Sequence, residues 1–119
     1  MPLDPQVRRL LDRIARANLP PINTLPTAKA RQQMIDASAA LGKPESVDSI
    51  EDRTVPGSGG AIPIRIYKPT GEQLPIVVYF HGGGCVLGNI DTHEGYCRAH
   101  AQARAATLVP VQSPLAPHT

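Results

Sequence analysis

The chain has 119 residues, which suits one small domain and is too short for two independent hydrophobic cores. With 41% hydrophobic and 18% charged residues, it is predicted to be globular and not disordered. The formal net charge of +2, spread along the chain, argues against nucleic acid as a partner. The two cysteines, Cys85 and Cys97, form no CxxC motif and lie among residues expected to be buried, which favours reduced thiols and a cytoplasmic location.

The N-terminal segment predicts neither export nor a membrane span. Charged residues interrupt it throughout, so it lacks the apolar core of a signal peptide. The longest aliphatic and aromatic run, at 76–80, is far shorter than the ~20 residues that a spanning helix needs.

Two helices are predicted before any strand. In the first, apolar residues recur at i, i+3, i+4 and i+7, arginines line another face, and the prolines at 20 and 21 end the element. The apolar stripe, formed by Val7, Leu10, Leu11 and Ile14, predicts a helix packed on its own protein, with a basic membrane-surface helix as the alternative. A second helix is expected from about Thr27 to Leu41, followed by a Gly-Lys-Pro stop.

From Val47 the pattern changes to strands. "VDSIEDRTV" and "AIPIRIYKP" flank the turn sequence "PGSGG" and predict a hairpin. Isoleucines 62, 64 and 66 alternate with other residues, which predicts that their face is buried. The continuous apolar run "PIVVYF" at 75–80 predicts a strand buried on both faces of a parallel sheet.

A βαβ unit is predicted in the last third of the chain. After the glycines, Asp91 and Glu94 form an acidic variant of the capping box and open an alanine-rich helix to about Ala106. "TLVPVQ" at 107–112 then supplies the next strand. The expected class is α/β, with a hairpin and a βαβ unit in a mostly parallel sheet that has helices on both faces.

The string "HGGG" at 81–84 places three consecutive residues without side chains between a predicted strand and a predicted helix. Such a loop can bind an anion or stabilise an oxyanion, because glycine lets amide groups approach without a Cβ. The dinucleotide fingerprint GxGxxG is not met, since Leu87 stands at its third glycine. The phosphate-binding loop is not met either, since Asn89 and Ile90 follow Gly88. The oxyanion-hole interpretation remains.

The string "HGGGCVLGNIDTHEGYCRAHA", with "MPLDPQVRRLLDRI" before it and "LAP" after it, resembles the hormone-sensitive-lipase-like branch of α/β-hydrolase esterases. The resemblance covers nearly the whole chain. It implies the N-terminal half of an α/β-hydrolase fold, with residues 1–45 as a helical cap and residues 46–119 as a partial core. It also implies a serine carboxylester hydrolase, an esterase or lipase for small-molecule esters of short to medium acyl chains, without cofactor or metal.

In that family the second and third glycines of the string donate to the oxyanion, which here are Gly83 and Gly84. The resemblance gives His81 and Gly82 the role of shaping the loop. Cys85 stands where relatives usually carry an aromatic residue, which affects the shape of the pocket. Relatives also carry Asp-Tyr-Arg before Leu-Ala-Pro-Glu, whereas this chain has "QSP" at 112–114, so a charged corner is lost.

No catalytic residue is assigned within the chain. Relatives place the nucleophile at a G-x-S-x-G elbow, and none of the serines at 38, 46, 49, 58 and 113 has glycine both two before and two after. Nucleophile, acid and base would lie beyond Thr119, and the chain alone is expected to be inactive. The alternative is a truncated, non-catalytic relic or a module that binds an apolar ester or a partner strand. Because a whole α/β-hydrolase needs roughly twice this length, half of the sheet is expected to be absent, which would leave the strand at 75–80 without a neighbour and favour aggregation.

Other chemistry-bearing residues were weighed and not assigned to a site. His93, Cys97 and His100 share one predicted helix, but their spacing does not meet HExxH, so no metal site is expected. His118 stands one residue from the end of the sequence and is expected in a disordered tail, not as a catalytic base.

Overall fold

A computed structural model describes residues 2–117, so the expectation for His118 lies outside the described residues. In this range two helices come first, a pair of strands follows, and a strand–helix–strand unit comes last, in the order expected from the sequence. Two short 3-10 turns, Ile22–Thr24 and Asp91–His93, lie between the longer elements. The longer elements are α1 (Pro5–Ala17), α2 (Thr27–Ala39), β1 (Ser49–Gly57), β2 (Gly60–Lys68), β3 (Ile76–Phe80), α3 (Glu94–Arg104) and β4 (Thr107–Val111).

The four strands form one sheet in the order β1-β2-β4-β3. β1 and β2 pair antiparallel from Ser49 opposite Lys68 to Gly57 opposite Gly60, which confirms the hairpin. β3 and β4 pair in parallel and are joined through α3, which confirms the βαβ unit. β2 and β4 pair antiparallel, so the described part of the sheet is mixed and only the β3–β4 pair is parallel.

The core lies between α3 and one face of the sheet. Tyr67 of β2 stands opposite Leu108 of β4, and both pack with Cys97 and Ala101 of α3. The expectation that the isoleucine face of β2 is the buried one is wrong. Isoleucines 62, 64 and 66 are half-buried, whereas Tyr67, which points to the other face, is fully buried because α3 covers that face.

The opposite face of the sheet is apolar and largely uncovered. Ile76, Val78 and Phe80 of β3 are 69%, 55% and 66% exposed, so the prediction of a strand buried on both faces is wrong. The physical reason is that no helix within residues 2–117 packs against this face, and β3 is an edge strand paired only with β4. The expectation of helices on both faces therefore fails for the described residues.

The first helix forms where its pattern predicts. Oδ1 of Asp4 accepts a hydrogen bond from the amide of Gln6 at 2.7 Å, Pro5 occupies the first turn, and Asn18 ends the helix with left-handed backbone. The expected packing is wrong, however, because no residue of α1 is buried and its apolar stripe faces outward. α2 ends at Ala39, two residues before Leu41, and buries Ala30.

The start of α3 differs from the predicted capping box. Asp91 accepts a hydrogen bond from Arg65 of β2, and Glu94 pairs within its own helix, so neither carboxylate caps it. Instead, Asn89 and Thr92 bond reciprocally: the amide of Asn89 donates to Oγ1 of Thr92 at 2.9 Å, and the amide of Thr92 donates to Oδ1 of Asn89 at 2.7 Å. This is capping-box geometry one turn before the α-helix begins.

Candidate functional site

The glycine string leaves β3 at Phe80 and folds into a tight turn before the segment Asp91–His93. The carbonyl oxygen of Gly83 accepts hydrogen bonds from the amides of Val86 at 3.1 Å and Leu87 at 2.9 Å. Both bonds close the turn on itself, so the loop has a defined shape without any side chain from the glycines.

Glycine is required at position 83. Its φ is +134°, a conformation that side chains rarely adopt, and a Cβ there would lie 2.0 Å from the carbonyl oxygen of Leu87. Since that contact is with backbone, no rotamer change relieves it. The same turn bonds that shape the loop therefore exclude any other residue.

Gly88 has a similar role, which the sequence analysis missed. A Cβ at this position would lie 2.8 Å from Nδ1 of His81 and 2.9 Å from the carbonyl oxygen of Gly82. The absence of a side chain at Gly88 lets the loop return close to its own start. No periodicity marks this glycine, although its φ of +87° makes glycine the expected residue once the turn is known.

The hydrogen bonds that close the turn do not use the amide groups of the three glycines. Within residues 2–117, no backbone carbonyl accepts a hydrogen bond from the amides of Gly82, Gly83 or Gly84. Gly84 is exposed and Gly83 is half-buried. N–H groups that have no backbone partner and no neighbouring glycine side chain can donate to an anion or to a developing oxyanion.

The side chain of His81 lies between the start of the glycine loop and the ring of His93. Its Nδ1 lies 2.9 Å from the carbonyl oxygen of Gly82, and its ring stacks on His93 with centroids 5.2 Å apart. His93 in turn lies against Tyr79, whose pKa is raised by burial. The string's histidine thus links the end of β3 to the turn that precedes α3.

The corner where relatives carry a charged triplet is held here by a neutral residue. The side-chain Oε1 of Gln112 accepts a hydrogen bond from the amide of Ile90 at 3.0 Å, and the amide of Gln112 donates to the carbonyl oxygen of Pro63 at 2.9 Å. Gln112 therefore joins the exit of the glycine loop to β2. In this chain the corner is therefore held by hydrogen bonds from an uncharged side chain and its backbone.

Pro110 is fully buried in β4, which lies between β2 and β3. Bridge pairs between β2 and β4 occur at Ile64 with Val111 and at Tyr67 with Leu108, on either side of the proline. The missing donor is accommodated by a gap in that ladder.

An ionic cluster lies beside the loop exit. The guanidinium of Arg65 contacts Oδ1 of Asp52 at 2.5 Å and Oδ1 of Asp91 at 2.7 Å. The hydrogen bond from Arg65 lowers the pKa of Asp52, and the same bond raises the pKa of Arg65. These side chains line an open groove of about 750 Å³ that also includes Asn89 and Gln112 and does not include the three glycines.

Cys97 and His100 pack against neighbouring side chains. Cys97 is fully buried, and burial raises its pKa to about 12, which keeps the thiol protonated. The ring of His100 lies 4.1 Å from that of Tyr96. The described part of the chain holds no group of three side chains suited to a metal ion. Cys85 is exposed, contrary to the expectation that both cysteines are buried, because the turn carries it outward.

Comparison with known proteins agrees with this fold. A family model described as the alpha/beta hydrolase fold matches residues 77–119. Carboxylesterase NlhH of Mycobacterium tuberculosis is 39% identical over 97% of this chain and 36% of the relative, and an arylesterase of Saccharolobus solfataricus is 30% identical over 98% and 39%. The solved structure of a hyperthermophilic esterase from the archaeon Pyrobaculum calidifontis superposes with a TM-score of 0.85 at 41% identity, over 98% of this chain and 38% of that one.

In sequence and in fold, the chain matches the N-terminal portion of proteins of the α/β-hydrolase family. Within that family it corresponds to the N-terminal portion of the hormone-sensitive-lipase-like esterases, which confirms the resemblance and the fold class predicted from the sequence. The chain spans little more than a third of the length of the curated relatives that it matches, 36% for the mycobacterial carboxylesterase. No helix within residues 2–117 is long and apolar enough to cross a membrane.

Proposed function

We propose that the glycine loop of this chain is the oxyanion hole of a serine carboxylester hydrolase, with Gly83 and Gly84 as the donors. The observation that carries the proposal is the set of free amides at the end of β3, held by a turn that only glycine permits at position 83. In this proposal His81 and Gly82 shape the loop, and Nδ1 of His81 lies beside the carbonyl oxygen of Gly82.

The reaction we propose for the complete site is a two-step acyl transfer. A serine outside this chain attacks the ester carbonyl, and the negative charge that forms on its oxygen is stabilised by the two glycine amides. Water then releases the acid, and no cofactor or metal takes part. One such donor contributes about 3 to 4 kcal/mol to the transition state, whereas the nucleophile is indispensable, so the chain alone is expected to be inactive.

The substrate proposed is a small-molecule ester with a short to medium acyl chain, as the names carboxylesterase and arylesterase of the relatives suggest. Residues 1–45 would form a helical cap over the acyl group, and residues 46–119 would form part of the hydrolase core. A cytoplasmic location accompanies this proposal, because Cys85 and Cys97 are both free thiols.

A fusion tests the proposal. Residues 1–117 are joined to the part of the Pyrobaculum calidifontis esterase that this chain does not match, and hydrolysis of p-nitrophenyl acetate, butyrate and hexanoate is measured. We expect the fusion to be active and the chain alone to be inactive. Gly83→Ala keeps the backbone amide but forces it out of place through the clash with the carbonyl oxygen of Leu87, so kcat in the fusion should fall on the order of 10² to 10³-fold, as when one oxyanion donor is lost. Gly95→Ala on α3, whose Cβ meets nothing within 4 Å and which lies outside the loop, serves as the matched control.

Each outcome has a distinct meaning. Activity of the purified chain alone would overturn its expected inactivity. A fusion whose activity is indifferent to Gly83→Ala would show that the loop is not the oxyanion hole. An inactive, folded fusion together with saturable ester binding by the chain alone would favour the binding-module alternative.

A further inference from the structure

Arg31 of α2 reaches the glycine loop from the opposite end of the chain. Its Nε donates to the carbonyl oxygen of Val86 at 2.9 Å, and its Nη2 donates to the carbonyl oxygen of Ala116 at 2.8 Å. We propose that Arg31 is a positioning residue that aims and polarises the amide of Gly84 through the backbone. The inference rests on the proposed role of the loop and extends it to a residue outside the glycine string.

The first route from Arg31 to Gly84 runs through two peptide groups. In a trans peptide, the carbonyl of one residue and the amide of the next point in opposite directions. The carbonyl of Val86 faces Arg31, so the amide in the same peptide, that of Leu87, points away from it and donates to the carbonyl of Gly83 at 2.9 Å. That carbonyl shares its peptide with the amide of Gly84, which therefore points out of the turn.

A second route converges on the same carbonyl. Arg31 holds Ala116, whose amide donates to the carbonyl oxygen of Cys85 at 2.7 Å. The peptide that carries this carbonyl also carries the amide of Val86, which donates to the carbonyl of Gly83 at 3.1 Å. Both arms of the guanidinium are thus connected to the peptide between Gly83 and Gly84.

The arrangement has an electrostatic consequence as well as a geometric one. Chains of hydrogen bonds polarise one another, and the charge on Arg31 draws electron density along the two peptides of the first route in the direction of the guanidinium. The second route acts through geometry alone, because the carbonyl and the amide of Ala116 belong to different peptide groups. The last member of the chain, the amide of Gly84, becomes a stronger donor. Because Arg31 lies in α2, the helix proposed as part of the cap, the position of the cap is coupled to the strength of the oxyanion hole.

The test uses the chain itself and does not depend on catalysis. Wild type, Arg31→Lys and Arg31→Ala are compared by amide NMR and hydrogen exchange, with Lys29→Ala as the control on the same helix. Lysine keeps the charge and stem but cannot reach both carbonyls as a planar fork does. In both Arg31 variants, we expect an upfield shift of the Gly84 amide proton and a rise of about tenfold in exchange at Leu87 and Ala116, or about 1.4 kcal/mol of local protection.

The amides of β1 and β2 are the internal reference, since their ladder is remote from α2. An unchanged Gly84 resonance and unchanged exchange at Leu87 in both variants would overturn the proposal. Loss of the β1 and β2 signals in Arg31→Lys would also overturn it, because Arg31 would then be needed for folding in general. If the fusion described above is inactive while these shifts occur as expected, the proposed function fails and the positioning role of Arg31 stands.

Discussion

Nη1 of Arg65 on β2 lies 2.7 Å from Oδ1 of Asp91, in the short turn that follows the glycine loop. The same guanidinium donates from Nε to Oδ1 of Asp52 on β1 at 2.5 Å. One cation therefore ties the hairpin to the exit of the candidate oxyanion loop. Arg65 is mostly buried, whereas both carboxylates are largely exposed, so solvent screens the interaction and its contribution to stability is modest.

The pH dependence of stability should include a contribution from Asp52. Its pKa is lowered in the folded chain by the hydrogen bond from Arg65, so its stabilising effect is present above the unfolded pKa of about 4 and is lost as pH falls through the folded value. Asp52→Asn should slightly lower the free energy of unfolding at neutral pH and flatten its decline below about pH 4. Urea unfolding across this range, with exposed Asp48→Asn as control, measures both effects. If the free energy of unfolding of Asp52→Asn declines below about pH 4 as steeply as that of the wild type, the assignment is wrong.

Alanine at Gly83 should destabilise the folded chain, whereas alanine at the neighbouring Gly82 should leave its stability nearly unchanged. Gly83→Ala places a Cβ 2.0 Å from the carbonyl oxygen of Leu87 in backbone of positive φ, and we expect it to lower the free energy of unfolding by about 1 to 3 kcal/mol. Gly82→Ala meets no atom within 4 Å and should change stability by no more than about 0.5 kcal/mol. Chemical denaturation of both variants provides the comparison. Equal stability of the two would mean that the turn adopts another shape.

The hydroxyl of Tyr67 should contribute nothing to stability. It is buried and makes no hydrogen bond within residues 2–117; burial raises the pKa of Tyr67, and the nearby guanidinium of Arg65 offsets only part of that rise. The ring packs in the core and lies 5.8 Å from the guanidinium carbon of Arg98. Tyr67→Phe removes an unsatisfied polar group and should leave the free energy of unfolding unchanged or raise it by about 1 kcal/mol. Tyr67→Ala should lower it by about 3 to 5 kcal/mol through loss of the ring. A marked loss in Tyr67→Phe would reveal a partner for the hydroxyl.

The two cysteines should differ in reactivity. Cys85 is exposed at the tip of the loop, whereas Cys97 is fully buried with a pKa raised to about 12 by burial. Since the thiolate is the nucleophile, iodoacetamide at mildly alkaline pH should modify Cys85 alone in the folded chain and both residues in denaturant. Peptide mass spectrometry locates the adducts, and Cys85→Ser should abolish labelling of the native protein. Labelling of Cys97 without denaturant would show that α3 does not cover it.

Local sequence features predicted the order of the elements around the site. The run at 76–80, the glycines after it and the alanine-rich helix specify β3, the loop and α3 through interactions that lie close in sequence. The position of Gly83 in the turn follows from the same string. What local patterns cannot specify is the partner of each side chain, as Asp91 shows: it suits a helix cap, but Arg65, distant in sequence, binds it instead.

The errors in burial have a common physical cause. Periodicity and apolar runs record which surfaces are suited to burial, but burial itself depends on what covers them. The stripe of α1 and the face formed by Ile76, Val78 and Phe80 are both suited to burial, and no described element covers either. The role of Arg31 was missed for a related reason, because its two acceptors lie 55 and 85 residues away.

The uncovered edge and face of β3 should make this chain self-associate. Among residues 2–117, β3 pairs only with β4, and its aliphatic and aromatic side chains are more than half exposed at positions 76, 78 and 80. An edge strand with free hydrogen-bonding groups beside an apolar surface is a template for pairing with another copy. Val78→Lys places a charge in the middle of that surface without removing a buried contact, so it should shift sedimentation velocity profiles toward monomer.

The control for this prediction adds the same charge elsewhere. Ala103→Lys lies on the exposed side of α3, away from β3, and should leave self-association as it is in the wild type. Both variants should unfold within about 0.5 kcal/mol of the wild type, because neither site is buried. If Val78→Lys and Ala103→Lys reduce association equally, net charge and not the β3 surface controls it. If neither does, the chains associate through another surface, of which the exposed stripe of α1 is the next to test by Leu10→Lys.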